Sequence, residues 1–329
     1  LKATPERHPG RGEHVHVGSW SVAGAQPLSL RHLAAGAACI AANFGCRPTF
    51  ALSALLCFPI FWPQITSLLQ GLKSRSLPPR KALRAPAAVI IPALIVVLPL
   101  MAYNVARFGS PLDFGNDYQM TVTDMTRFVQ PTANFLPSVG AYLFLPLRFT
   151  SEFPFIGMTP MAFREWGYYE LMAGGLFTAC PLLLLALEAP FLRRRMHRSG
   201  YWGLATCSLA LAVLLAVFDS HTAGLGWRYI CDFGWMMAIA ALAPMLYLMH
   251  PGGDAIAAGA PDPSERNEPR RDVTKRHPMV LACVRGLVVA VLMASIILAV
   301  LACFIPGRDD SLINNNPVLY DTVVAWFRL

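Results

Sequence analysis

Residues 85–106 read APAAVIIPALIVVLPLMAYNVA. The stretch holds no charged side chain, and ~20 apolar residues are what a helix needs to cross the ~30 Å hydrocarbon core of a bilayer. In hydrocarbon every backbone N–H and C=O must be paired within its own segment, which makes the run a helix. Outward from it, further charge-free runs cover Thr49–Leu69, Gly200–Phe218 and Gly286–Pro306, with shorter ones at Leu171–Leu187 and Phe233–Met249. The ten-residue alternation of a transmembrane β-barrel is absent.

The whole composition agrees. Of 329 residues, 55% are hydrophobic and 14% charged, against about a quarter charged in a soluble domain. The fold class expected is therefore all-α: a polytopic integral membrane bundle of about six to eight helices with an ordered outer-face loop region. Leu33–Cys46 is short for a span. Its rows Ala34/Ala38/Ala42 and Ala37/Ala41/Gly45 are small at every fourth position, which lets helices approach closely.

The net charge of +8 invites a nucleic-acid reading, but the charges sit in short loops between apolar runs, without a basic stripe interleaved with aromatics. No nucleic-acid partner is expected. The loops are orientation signals. Lys73, Arg75, Arg80, Lys81 and Arg84 follow the second run, Arg193, Arg194, Arg195 and Arg198 the fourth, and Arg266, Arg270, Arg271, Lys275 and Arg276 the sixth. With alternating spans all three fall on one side, which the positive-inside rule makes cytoplasmic.

The organisation expected is a disordered tail at 1–27, a membrane region at 28–249 with an outer-face loop at 107–170, a cytoplasmic linker at 250–278, a last membrane helix at 279–306 and an outer-face tail at 307–329. The loop carries Asp113, Asp117, Asp124, Arg127, Arg148, Glu152, Arg164, Glu165 and Glu170. Its apolar piece Phe135–Leu147 reads as interfacial or re-entrant. No internal repeat of the transporter kind is visible. The eight cysteines form no CxxC pair and lie in or beside apolar runs, so they read as small packing residues rather than metal or redox groups.

Chemistry must then lie in the outer-face loops. At 103–115, Arg107 stands at phosphate level beside Asp113, with Gly109 and Pro111 turning the chain out of the bilayer; an interfacial anchor plus a turn is the plain alternative. Asp113-Phe114-Gly115 lacks the companion motifs of a kinase. At 227–233, Arg228 and Asp232 are one helical turn apart and can pair, with Tyr229 between them; such charges at a helix mouth either brace the scaffold or mark a polar cavity. Arg47, between two apolar helices, reads first as a snorkelling anchor. Arg47, Arg107, Arg148 and Arg228 could converge on one anionic headgroup, because the guanidinium fork donates to phosphate in pairs. HExxH, P-loop and dinucleotide fingerprints are absent, no metal set is seen, and no catalytic residue is assigned.

Gly-Cys-Arg-Pro-Thr at 45–49, Tyr-Asn-x-x-Arg-Phe-Gly-Ser-Pro-Leu-Asp-Phe-Gly at 103–115, Trp-Arg-Tyr-x-x-Asp-Phe at 227–233 and Asn316-Pro317-x-Leu319-Tyr320 together resemble the later, C-terminal part of bacterial GT-C membrane glycosyltransferases, over residues 28–325. The resemblance implies an integral protein of the bacterial cytoplasmic membrane, with membrane lipid and a polyprenyl-phosphate sugar donor as partners and transfer at the outer face. No cofactor is identified, and a divalent metal is compatible with this chemistry. Arg107, Asp113, Arg228, Tyr229 and Asp232 match motif positions. The family's early spans and acidic first outer loop have no counterpart before residue 28, so an N-terminally truncated gene product is expected. A non-catalytic remnant or scaffold subunit is the alternative, and a transporter ranks last because the main runs are free of charge.

Overall fold

The computed structural model describes residues 19–20, 27–115, 118, 124, 127–191, 201–249, 278–307 and 311–327. Most of the 1–27 tail, Asp117, the arginines at 193–198 and the linker through residue 277 lie outside the described residues. The chain forms two compact units, residues 1–128 and 129–329.

In the first unit, β1 (Ser19–Trp20) pairs antiparallel with β2 (Leu28–Ser29), and α1 (Leu30–Cys46) follows. The run beginning at Thr49 is not one straight helix. A 3-10 helix Pro48–Leu56 leads into α2 (Cys57–Ile60), and α3 (Trp62–Lys73) then departs at 68°. Pro63 accounts for the break, since its ring excludes the carbonyl four residues earlier and it has no N–H to donate. A single turn, α4 (Pro79–Ala82), precedes α5 (Arg84–Phe108). Gly109, at φ +80, ends α5 by donating its N–H to the Val105 carbonyl at 2.9 Å, the left-handed cap that glycine adopts without a Cβ clash. The small row of α1 is what lets α5 lie against it: Ala41 is buried, and a Cβ on Gly45 would come within 2.9 Å of Leu100.

The second unit begins with α6 (Phe135–Phe144), whose ten residues at about 1.5 Å each are too few to cross a bilayer. The hairpin β3 (Arg148–Phe149) and β4 (Ile156–Gly157) follows. Leu171–Leu187, expected as a span, is not a continuous helix. Extended chain leads to α7 (Leu176–Ala179), the backbone breaks at Cys180, and a 3-10 helix covers Pro181–Glu188. Gly174 and Gly175 let the extended entry pack close, since a Cβ on Gly175 would stand 2.5 Å from the Leu145 amide nitrogen, and Pro181 cannot continue α7. Then come α8 (Tyr201–Thr222), α9 (Ile230–Met249), α10 (Pro278–Ala302), α11 (Leu312–Asn315) and α12 (Pro317–Phe327).

The broken 176–188 segment runs along α9 through the unit. Gly175 bonds to Leu145 at one end, and Ala189 packs with Ala205, Trp202 and Ala243 at the other. Irregular backbone is tolerated where protein surrounds it and supplies its partners. Ser295 of α10 does so, accepting the Leu182 N–H at 3.0 Å while donating to Val291 O at 2.9 Å.

Among the described residues four helices are long and apolar enough to cross a membrane, Arg84–Phe108, Tyr201–Thr222, Trp227–Met249 and Ala282–Ala302, with a fifth if the bent pair Pro48–Ile60 and Trp62–Lys73 counts as one span. The expected class of helical membrane protein therefore stands, with fewer long helices than the six to eight read from sequence. Only 6% of the α5 window and 11% of the α10 window are buried. Apolar faces that open belong against lipid rather than water.

Candidate functional site

One end of the second unit collects its loops. Ile305, just past α10, is wholly buried with Ile156 and Ala173, and Trp227 packs on them. Phe153 stacks on Phe327 of α12 at 4.5 Å between centroids. The start of α9 and the ends of α8 and α10 thus lie together with residues 153–173 at one end of this unit.

The site is built where two extended segments meet there. Tyr168–Glu170 runs alongside Leu225: Glu170 N bonds to Leu225 O at 2.8 Å and Leu225 N to Tyr168 O at 3.1 Å. Gly224, at φ +89, lets the chains approach, since a Cβ there would stand 2.4 Å from the Tyr168 carbonyl. Two buried amides anchor the loop. Gln130 Oε1 accepts the Tyr168 N–H at 3.2 Å, and Asn134 Nδ2 donates to Glu165 O at 2.8 Å. Tyr142, fully buried on α6, holds the opposite strand by donating to Gly224 O and accepting from Gly226 N, both at 2.9 Å.

On this frame Arg228 reaches across to the loop. Its Nη2 donates to the Tyr168 hydroxyl at 2.8 Å, and its Nε lies 3.7 Å from Glu170 Oε1. Its guanidinium lies over the rings of Tyr168 and Tyr229, at 5.7 and 5.4 Å from their centroids. Tyr168 in turn donates to Glu170 Oε1, and Glu170 Oε2 accepts the Trp227 N–H at 3.0 Å. The side chain of Arg228 remains 59% exposed, and the Tyr229 hydroxyl is a further hydrogen-bond partner of the guanidinium. Burial, reinforced by the bond to the Glu170 carboxylate, raises the Tyr168 phenol above its ordinary pKa. Burial raises that of Tyr142 as well. Both stay neutral donors across physiological pH.

The structure thus groups Arg228 and Tyr229 with Glu170, a residue the sequence reading placed in the loop without a role, and with Tyr168 and Tyr142, which it did not single out. The glycines bracketing Leu225, just ahead of Trp227 and Arg228, were the available signal, because paired glycines mark close backbone approach. Asp232 is buried in the first turn of α9, where a carboxylate complements the helix dipole. Arg148 is exposed on β3.

The remaining candidates lie in the first unit. Arg107 donates to the Tyr103 hydroxyl at 2.9 Å and lies over Phe108 at 5.1 Å. Asp113 Oδ1 accepts the Gly115 N–H at 2.8 Å, closing a turn on itself. Phe44 meets Phe114 edge-on at 5.3 Å, so Arg47, capping α1, and Arg107, ending α5, share one end of that unit. Among the described residues no three His, Cys, Asp or Glu side chains gather in a way that could hold a metal ion.

Comparison of the chain with protein-family models, with curated proteins and with solved structures finds no match.

Proposed function

We propose that this chain is a GT-C-like membrane glycosyltransferase, or the later part of one, acting on a polyprenyl-phosphate sugar at the outer face of a bacterial cytoplasmic membrane. The observation that supports the reading most is that Arg228 is held by Tyr168, Glu170 and Tyr229 yet stays 59% exposed. An oriented, accessible guanidinium at the mouth of an apolar helix suits a lipid-linked phosphate, which accepts N–H donors. In the reaction a carboxylate base takes the acceptor hydroxyl's proton, the oxygen attacks the anomeric carbon as the C–O bond to phosphate breaks, and the arginine stabilises the departing anion. Glu170 is a positioning residue in this scheme, because both its oxygens already accept hydrogen bonds.

The topology that goes with it has seven crossings: α1, the bent pair, α5, the broken 176–188 segment, α8, α9 and α10, with the basic loops cytoplasmic. Arg228→Ala should abolish transfer from labelled polyprenyl-phosphate sugar in membranes at normal expression; unchanged turnover overturns the reading. A second reading, a non-catalytic lipid-phosphate-binding subunit, is favoured by the full engagement of Glu170, which leaves that carboxylate no role as a base. It predicts Arg228-dependent binding of polyprenyl phosphate without turnover.

A further inference from the structure

The first unit contains a groove that the proposed chemistry does not use. It measures about 910 Å³ and lies between α1, the bent pair and α5, lined among others by His32, Gly36, Cys57, Gln64 and Val97. Its breadth comes from small residues: nothing lies within 4 Å of where a Cβ on Gly36 would stand, and Ala37, Ala41 and Ala93 continue the wall. The volume is in the range of ligand sites, which are mostly apolar with a few placed polar groups.

One such group is present. Gln64, in the first turn of α3 just past the bend, is 9% exposed, lines the groove, and its Oε1 is buried without a hydrogen-bond partner. Leaving a buried acceptor unmade is costly, and such groups in native proteins are nearly always satisfied. The groove therefore asks for a hydrocarbon chain together with an O–H donor beside it. Diacyl phospholipids place ester oxygens next to their chains, and these only accept. A single-chain lipid with a free glycerol hydroxyl, such as a monoacylglycerol or a lysophospholipid, supplies both features.

We infer that the α1–α5 groove is a site for a single-chain hydroxylated glycerolipid, with its chain along α1 and α5 and its hydroxyl donating to Gln64 Oε1. The site is independent of Arg228 and of any transferase activity. The test uses the full chain in phosphatidylcholine nanodiscs with a photoactivatable monoacylglycerol. Labelling should map to peptides within 28–97. Monopalmitoylglycerol should compete, and hexadecane should not. Competition by lysophosphatidylcholine as well would place the charged head outside the contact, and its failure would restrict the site to the neutral lipid; either result upholds the shared chemistry. Gln64→Leu should weaken competition about tenfold. Gly36→Phe, which fills open space, should abolish labelling while the protein stays monodisperse. Equal labelling of Gly36→Phe and the parent, unchanged affinity in Gln64→Leu, or equal labelling by a diacyl probe would overturn the inference.

Discussion

The Tyr142 hydroxyl donates to the carbonyl of Gly224 at 2.9 Å, joining residues 82 apart in sequence. Through the return bond from Gly226 N this one phenol fixes the strand that carries Trp227 and Arg228. Tyr142→Phe keeps the ring, which meets Phe233 edge-on at 5.4 Å, but leaves a buried carbonyl and a buried amide without that partner. The expected cost is about 1–3 kcal/mol for each group stranded. Thermal unfolding in detergent should show a lower midpoint, and an unchanged midpoint would remove Tyr142 from the frame.

Tyr168 and Tyr142 give a pH signature. An ordinary phenol titrates near 10.0, and both are raised in the folded protein, chiefly by burial. The fold therefore favours the protonated form. The stabilisation is complete below the unfolded value and is lost as pH climbs past it toward the folded values. An absorbance titration should show phenols ionising above the ordinary range, and Tyr168→Phe should remove one of them. A titration unchanged by Tyr168→Phe in that range would refute the assignment.

What could be read from sequence follows from what is local. The helices α5, α8, α9 and α10 were legible because hydrophobic length is a property of consecutive residues. The break within Leu171–Leu187 was not, since Gly174, Gly175 and Pro181 sit in a stretch as apolar as any span, and tertiary partners such as Ser295 make the break tolerable. Arg228 was legible as a charge at a helix mouth. Glu170 was not, because its bond to Trp227 spans 57 residues, and nothing in an irregular loop distinguishes that carboxylate from Glu152 or Glu165.

Ser295→Ala tests the broken segment. The hydroxyl accepts the Leu182 N–H, which has no helical partner of its own at the start of the 3-10 turn and, if the segment crosses the membrane as proposed, no water to turn to. Loss of that acceptor should cost about 1–3 kcal/mol and appear as a lower unfolding midpoint in detergent. A variant as stable as the parent would mean that the Leu182 amide finds another acceptor.

Arg228→Lys separates charge from geometry. A lysine keeps the positive charge but is a point donor without the planar fork, so it cannot bond Tyr168, approach Glu170 and donate to a phosphate at once. Polyprenyl-phosphate binding should fall about tenfold and lose less than in Arg228→Ala, in keeping with one bidentate contact. Equal binding by the lysine variant would show that charge alone suffices.

Topology gives the broadest test, because the site's placement depends on it. Arg80 belongs to the basic loop between the bent pair and α5, and Arg148 to the hairpin at the end where α9 begins. On the positive-inside argument they are cytoplasmic and external respectively. The eight native cysteines, all unpaired thiols among the described residues, are first replaced. Single cysteines at 80 and 148 are then probed in intact cells with a membrane-impermeant maleimide. Position 148 should label from outside and position 80 only after lysis. Labelling of both from the same side would remove the outer-face assignment, and with it the case that Arg228 meets an external lipid-linked phosphate.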